Sequence, residues 1–311
     1  MHIVLVCSSQ IPAQHYGGTE RVVQWLAQSF SRQGHQVSLI ALPGSQLSGL
    51  TCIPATNAQQ ALLSIPKDAD VVHFHGWEPS GEMSIPWLYT LHGNTKDVEA
   101  LPANTVCISA DHARRHGRCV YVYNGIEPGE FKYQGIKKDY LLFFSKIRRR
   151  VKGAKRALTL AAQVQSPLVM VGGYRTDLLK TGGWWNSWRS GVQVVGEAGG
   201  EDKARWFSNA KALLFPIDWE EPFGLVLMES LISGTPVVAT ARGSVPELIP
   251  SQVGGLFKED VEFDAALDHA LSCNPQDCRD WAMSQFTVAH CAAGYFRLYE
   301  RLCDGENVFE N

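Results

Sequence analysis

The chain opens MHIVLVC (1–7), passes through QHYGGTERVVQWLAQSFSRQG (14–34) and returns to QVSLIAL (36–42). HIVLVC is a short continuous apolar run of strand length. The next segment repeats apolar residues at helical spacing, which predicts a helix over about 19–34 that stops at Gly34. QVSLIAL is again β-rich. Strand, helix, strand in this cadence builds a parallel sheet with helices on its faces. DVVHFH (70–75), PWLYTLH (86–92), TVCIS (105–109) and CVYVY (119–123) continue the series, with Ser109 as N-cap of an intervening helix.

The cadence breaks at NGIEPGEFKYQGIKKD (124–139), which is rich in Gly, Pro and charge and is expected to be a linker. A second series follows: YLLFFSK (140–146), a helix from about 153 to 164, PLVMVGG (167–173), VQVVG (192–196), KALLFP (211–216), TPVVAT (235–240) and GGLF (254–257). The end of the chain, with VAHCAAGYFRLYERL, reads as a long amphipathic helix. The expected division is therefore 1–134, 135–285 and a helix over 286–311 that returns to the first domain. Tandem domains of this kind bind ligands in the cleft between them, at the carboxyl ends of their strands.

Composition agrees with two domains. The 311 residues are 45% hydrophobic and 19% charged, and the net charge is −3 from 28 Lys+Arg and 31 Asp+Glu. That balance argues against a nucleic acid as main partner. Residues 1–134 carry 8 basic against 10 acidic side chains, which gives no case for docking that half on anionic lipid. Eight cysteines without a C-x-x-C pair read as reduced thiols of a cytoplasmic protein. MHIVLV is too short for a signal sequence, and no run approaches the ~20 apolar residues of a membrane span.

The chemistry is expected in EEPFGLVLMES (220–230), where an apolar run carries Glu221 and Glu229 at its ends. KALLFP is a strand, Pro222 suits a first helical turn, and the helix would run to Gly234. Glu221 then stands at the strand-to-helix turn and Glu229 lies roughly 12 Å further on. Free amides near Phe223, Gly224, Leu225 and Val226 would favour an anion between them. Hydroxyls, phosphates and hydroxyls in that order describe a nucleotide-diphosphate sugar. The plainer reading has Glu221 capping the helix and Glu229 in solvent, but LVLM is apolar all round and a buried carboxylate needs partners.

E-P-F-G-L-x-x-x-E, followed by GTPVVAT and GSVPELI, resembles the retaining GT-B glycosyltransferases of family 4, the glycosyl transferases group 1. YGGTE, NGI and the Lys146–Lys152 segment extend the likeness over nearly the whole chain. The resemblance implies two Rossmann-like domains facing a cleft, the second holding the donor and the first the acceptor. It implies transfer of a hexose, with UDP-sugars favoured as donors, to an acceptor hydroxyl with retention of configuration. Glu221 would bind sugar hydroxyls and Glu229 ribose hydroxyls. The amides at Phe223 and Gly224 would meet the sugar, and those at Leu225 and Val226 the phosphate. The family places Arg and Lys six residues apart on the diphosphate; here Lys146 replaces the Arg and Lys152 stands at the second position.

The Gly17–Gly18 turn resembles the loop that touches donor phosphate from the acceptor side, with Thr19 as cap of the following helix. His92 corresponds to a histidine that contacts the donor sugar. His15 and Tyr16 are expected on the acceptor side. Gly173, with Gly172 and Gly196, would let backbone approach the base. Asp68-Ala69-Asp70 mimics a D-x-D metal motif but enters a strand at the wrong end. The lysines and the helix dipole can replace a divalent ion, so no metal is expected. His73 and His75 share a strand face without ligands to complete a metal site. Trp184, Trp185 and Trp188 read as a satellite core or a partner surface, with core ranked first. Two other function classes stay open: a non-catalytic nucleotide-sugar or glycan-binding protein, and a nucleic-acid binder using KIRRRVKGAKR, which lacks interleaved aromatics.

Overall fold

Alternating strands and helices build two separate parallel sheets. The computed structural model describes residues 1–13, 17–79 and 83–309. Contacts divide the chain into one unit of Met1–Ile126 with Phe286–Asn311 and another of Glu127–Gln285.

The strands of the first unit are β1 (His2–Cys7), β2 (Gln36–Ala41), β3 (Thr51–Pro54), β4 (Val71–His75), β5 (Trp87–Thr90) and β6 (Thr105–Val106). Its helices are α1 (Gly18–Arg32), α2 (Ala58–Leu63) and α3 (Ala110–Arg115). The sheet order is β3-β2-β1-β4-β5-β6. Leu5 on β1 pairs in parallel with Leu39 on one side and His73 on the other. All six β1 residues are buried, as a strand covered on both faces requires. Ser109 caps α3 by accepting from the His112 amide. Thr19 does not cap α1: the helix begins one residue earlier with Gly17 as N-cap and no side-chain cap, so Thr19 lies inside the first turn. CVYVY is not a strand either. It makes one bridge, Cys107 to Tyr121, because β6 is only two residues long and offers no further template.

The second unit has β7 (Lys138–Phe144), β8 (Leu168–Val171), β9 (Val192–Val194), β10 (Ala210–Phe215), β11 (Val237–Thr240) and β12 (Gly254–Phe257). Between and after them lie α4 (Ala154–Gln163), α5 (Leu178–Thr181), α6 (Gly200–Asn209), α7 (Leu225–Ile232), α8 (Val245–Leu248), α9 (Phe263–Ser272) and α10 (Pro275–Gln285). The sheet runs β12-β11-β10-β7-β8-β9. Its core joins Leu141, Phe143, Leu158, Met170, Leu214 and Phe263.

The last helix, α11 (Val288–Cys303), belongs to the first unit, where Tyr299 meets Phe30 of α1 with ring centroids 5.6 Å apart. Counted from its own first strand, each sheet has the Rossmann order 3-2-1-4-5-6. The order reverses between β1 and β4 in one unit and between β7 and β10 in the other, and ligands of such sheets sit at that reversal.

Candidate active site

After β7 the chain passes Lys146, which is half-buried, and makes a short turn over Arg150–Lys152. Gly153 closes the turn with φ +76°, and any side chain there would collide with the Pro216 carbonyl just past β10. The Asp218 amide donates to the Val151 carbonyl at 2.9 Å, sewing the two loops together. Lys152 is thereby delivered to Glu221: Nζ lies 2.7 Å from Oε2. The Trp219 indole N–H donates to the same oxygen at 2.9 Å, and Lys152 sits 4.3 Å from the Trp219 ring centroid. Glu221 is only 6% exposed, so these partners are what make its charge tolerable.

The loop between β11 and α8 pins the Glu221 backbone from the other side. The Ser244 amide donates to the Glu221 carbonyl at 2.9 Å, and the Ser244 hydroxyl to the Phe223 carbonyl at 3.2 Å. Helix α7 starts at Leu225, three residues later than the Pro222 start expected from sequence. Gly224 is its N-cap in the left-handed region, with φ 79° and ψ 69°. Pro222 and Phe223 therefore belong to the loop, and only Leu225 and Val226 supply amides at the helix start, where intrahelical partners are lacking. The straight-helix spacing between the two glutamates does not apply, since half of the interval is loop.

Glu229 lies inside α7 at 3% exposure, not on a solvated face. Its Oε1 is 2.5 Å from Nζ of Lys203 on α6. Lys203 stands among the rings of Phe131, Phe144 and Phe207, at 5.5, 5.6 and 6.0 Å from their centroids. Sequence reading missed both Lys203 and Trp219. Lys203 left a signal: it shares the α6 stripe with buried Ala204 and Phe207, where a solvated lysine has no place. Gly173 follows β8, and the amides of Gly172 and Gly173 both donate to the Gly196 carbonyl after β9, at 2.7 and 3.3 Å. The second unit thus gathers Lys152 and Glu221 with the start of α7, and pairs Glu229 with Lys203 further along the same helix.

Gly17, Gly18 and His92 lie in the first unit. His92, just past β5, places Nε2 2.8 Å from Nδ1 of His75 at the end of β4. His73 has both ring nitrogens engaged, Nδ1 with the Tyr299 hydroxyl at 2.6 Å and Nε2 with the Thr90 hydroxyl at 2.7 Å. Thr90 is in turn 2.9 Å from the Tyr295 hydroxyl. Burial pushes His92 down to about 4 and holds His73 and His75 well below the ordinary imidazole value, so all three are neutral near pH 7. Asp70 and Asp68 approach His2 at the start of β1, the opposite end of the sheet from the strand termini that bind ligands.

His15 and Tyr16 lie outside the described residues. The tryptophan segment does not form the expected core: Trp185 is 83% and Trp188 62% exposed, and only Trp184 is partly covered. Trp188 is held by Arg175, 4.3 Å above its ring, and by the Trp184 ring 5.6 Å away.

Residues 128–283 match the family described as Glycosyl transferases group 1. An uncharacterized glycosyltransferase of Methanocaldococcus jannaschii is 24% identical over 201 residues, 57% of this chain and 49% of that protein. The O-antigen chain mannosyltransferase B of Escherichia coli is 26% identical over 191 residues, 55% of this chain and 48% of its own. The matched stretches span about half the length of these two relatives. Among solved structures, AviGT4, a glycosyltransferase involved in avilamycin A biosynthesis, superposes with a TM-score of 0.82 at 25% identity, covering 98% of both chains. The two six-stranded parallel sheets are those of the GT-B fold.

Proposed function

Because the chain belongs to the glycosyl transferases group 1, we propose that it transfers a hexose from a nucleotide-diphosphate sugar, a UDP-sugar foremost, to an acceptor hydroxyl. The reaction retains anomeric configuration, needs no divalent metal and takes place in the cytoplasm. The observation that carries this reading is the Lys152–Glu221–Trp219 cluster beside the β7/β10 reversal.

The leaving group is a nucleoside diphosphate whose negative charge grows as the glycosidic bond breaks. Lys146, Lys152 and the Leu225 and Val226 amides supply positive potential to it without reorganising. Glu221 is held in one orientation by two donors on one oxygen, which fixes the carboxylate as an acceptor for sugar hydroxyls and as an anion beside developing positive charge. Attack from the same face as departure, assisted by the leaving phosphate, accounts for retention without a covalent nucleophile. Glu229 takes the ribose hydroxyls and Gly173 the approach of the base.

The test is turnover and calorimetry of the full chain with UDP-, GDP-, ADP- and dTDP-sugars, repeated with Glu221→Gln and Glu229→Gln. Glu221→Gln should cut turnover by roughly 10²–10³ with modest loss of nucleotide affinity. Glu229→Gln should chiefly weaken nucleotide binding, and a chelator should change neither. Two variants indistinguishable from wild type would refute the assignment.

A further inference from the structure

Residues 146–189 hold ten Lys and Arg against one acid, Asp177, in a chain whose net charge is −3. The remainder therefore carries 18 basic and 30 acidic side chains. This segregation exceeds what the donor diphosphate needs, because only Lys146 and Lys152 are assigned to it. Arg156 is neutralised by Asp218 and Asp260, and Arg175 and Arg189 donate to the Ser187 and Ser166 carbonyls. Arg148, Arg149, Arg150, Lys155 and Lys180 remain exposed. Asp177, whose carboxylate accepts from the Tyr174 amide at 2.9 Å, offsets at most one of these five charges.

Large apolar side chains stand among these cations. Leu179 is 61% exposed and Tyr174 67%, alongside Trp185 and Trp188. The pieces are contiguous. Arg150 Nε donates to the Lys180 carbonyl at 3.0 Å, and the Lys155 side chain lies within 4 Å of where a Cβ on Gly182 would stand, in the turn between Leu179 and Trp185. The Trp184 and Trp188 rings meet edge to face at 5.6 Å.

From this juxtaposition we infer that the α5-to-Trp188 face of the second unit docks on a bilayer surface bearing anionic headgroups. Indole rings have an apolar body and one polar N–H, the composition that settles at headgroup depth. Long lysine and arginine stems reach phosphates while their methylenes stay in the apolar layer. Leu179 separates this occupant from single-stranded nucleic acid: an aliphatic side chain offers no face to a base but does bury in acyl chain. Among the described residues no helix is long and apolar enough to span a membrane, so the attachment is to the surface.

Vesicle co-sedimentation of the full chain tests this, with phosphatidylcholine alone and with added phosphatidylglycerol. Binding should require phosphatidylglycerol and weaken with salt. Brominated acyl chains should quench tryptophan emission in wild type and much less in Trp185→Ser/Trp188→Ser. Lys155→Glu and Lys180→Glu should each lower partitioning about fivefold or more. All these positions are exposed, so the variants should keep the wild-type circular dichroism and unfolding midpoint. Equal binding to both vesicle types, no binding, wild-type behaviour of the variants, or retention of a single-stranded oligonucleotide in place of vesicles would each overturn the inference.

Discussion

Where its strand order reverses, the second unit places full charges in opposed pairs: Lys152 on Glu221 after β10, and Lys203 on Glu229 one helix further. The first unit, with the same strand order, places neutral groups on and beside β4 and β5: His75 against His92, and His73 between the Tyr299 and Thr90 hydroxyls. One topology thus carries two electrostatic solutions. A buried ion pair depends on both members, since each compensates the desolvation of the other. A neutral hydrogen-bonded cluster tolerates near-neutral pH and fails only when an imidazole is forced to take a proton.

The largest way to break this contrast is to orphan a charge. Lys203→Met should destabilise the second unit by about 3–5 kcal/mol by leaving Glu229 buried without its cation. Lys203→Met/Glu229→Leu should recover much of that loss, although not nucleotide binding. Urea titration of the two variants checks it, and equal losses would mean that the pair is not coupled.

Acid should act on the other unit. In the unfolded chain His73, His75 and His92 ionise near 6.5; in the fold burial depresses all three, His92 to about 4. Between about pH 4 and 6.5 the unfolded state therefore binds more protons, so stability is full above that window and falls as pH drops through it. The slope reaches about 1.4 kcal/mol per pH unit for each fully buried histidine. Hydrogen exchange of β4 and β5 amides reports this unit separately, and His75→Gln should show a shallower slope than wild type.

A smaller effect tests the backbone that aims the charged site. Gly224→Ala must adopt φ near +79°, which should cost about 1–2 kcal/mol in urea unfolding. It should also misplace the Leu225 and Val226 amides, visible as weaker nucleotide binding in calorimetry.

The sequence by itself determined the parallel α/β class, the two series of strands and the place of Glu221 between a strand and a helix. Those features are written locally, in the length of apolar runs, in Ser109 as a cap and in Gly34 as a stop. Only the tertiary structure decided who partners whom. Lys152 reaches Glu221 across 69 positions and Lys203 reaches Glu229 across 26, separations set by sheet order and invisible to any local window. Lys137, in a stretch that reads as solvated linker, donates to the Ser208 and Ser233 carbonyls and the Thr235 hydroxyl, and burial pushes its amine down to about 8. The tryptophans of 184–188 have core composition yet stand largely in solvent. Burial belongs to the packed chain as a whole, and no residue type carries it alone.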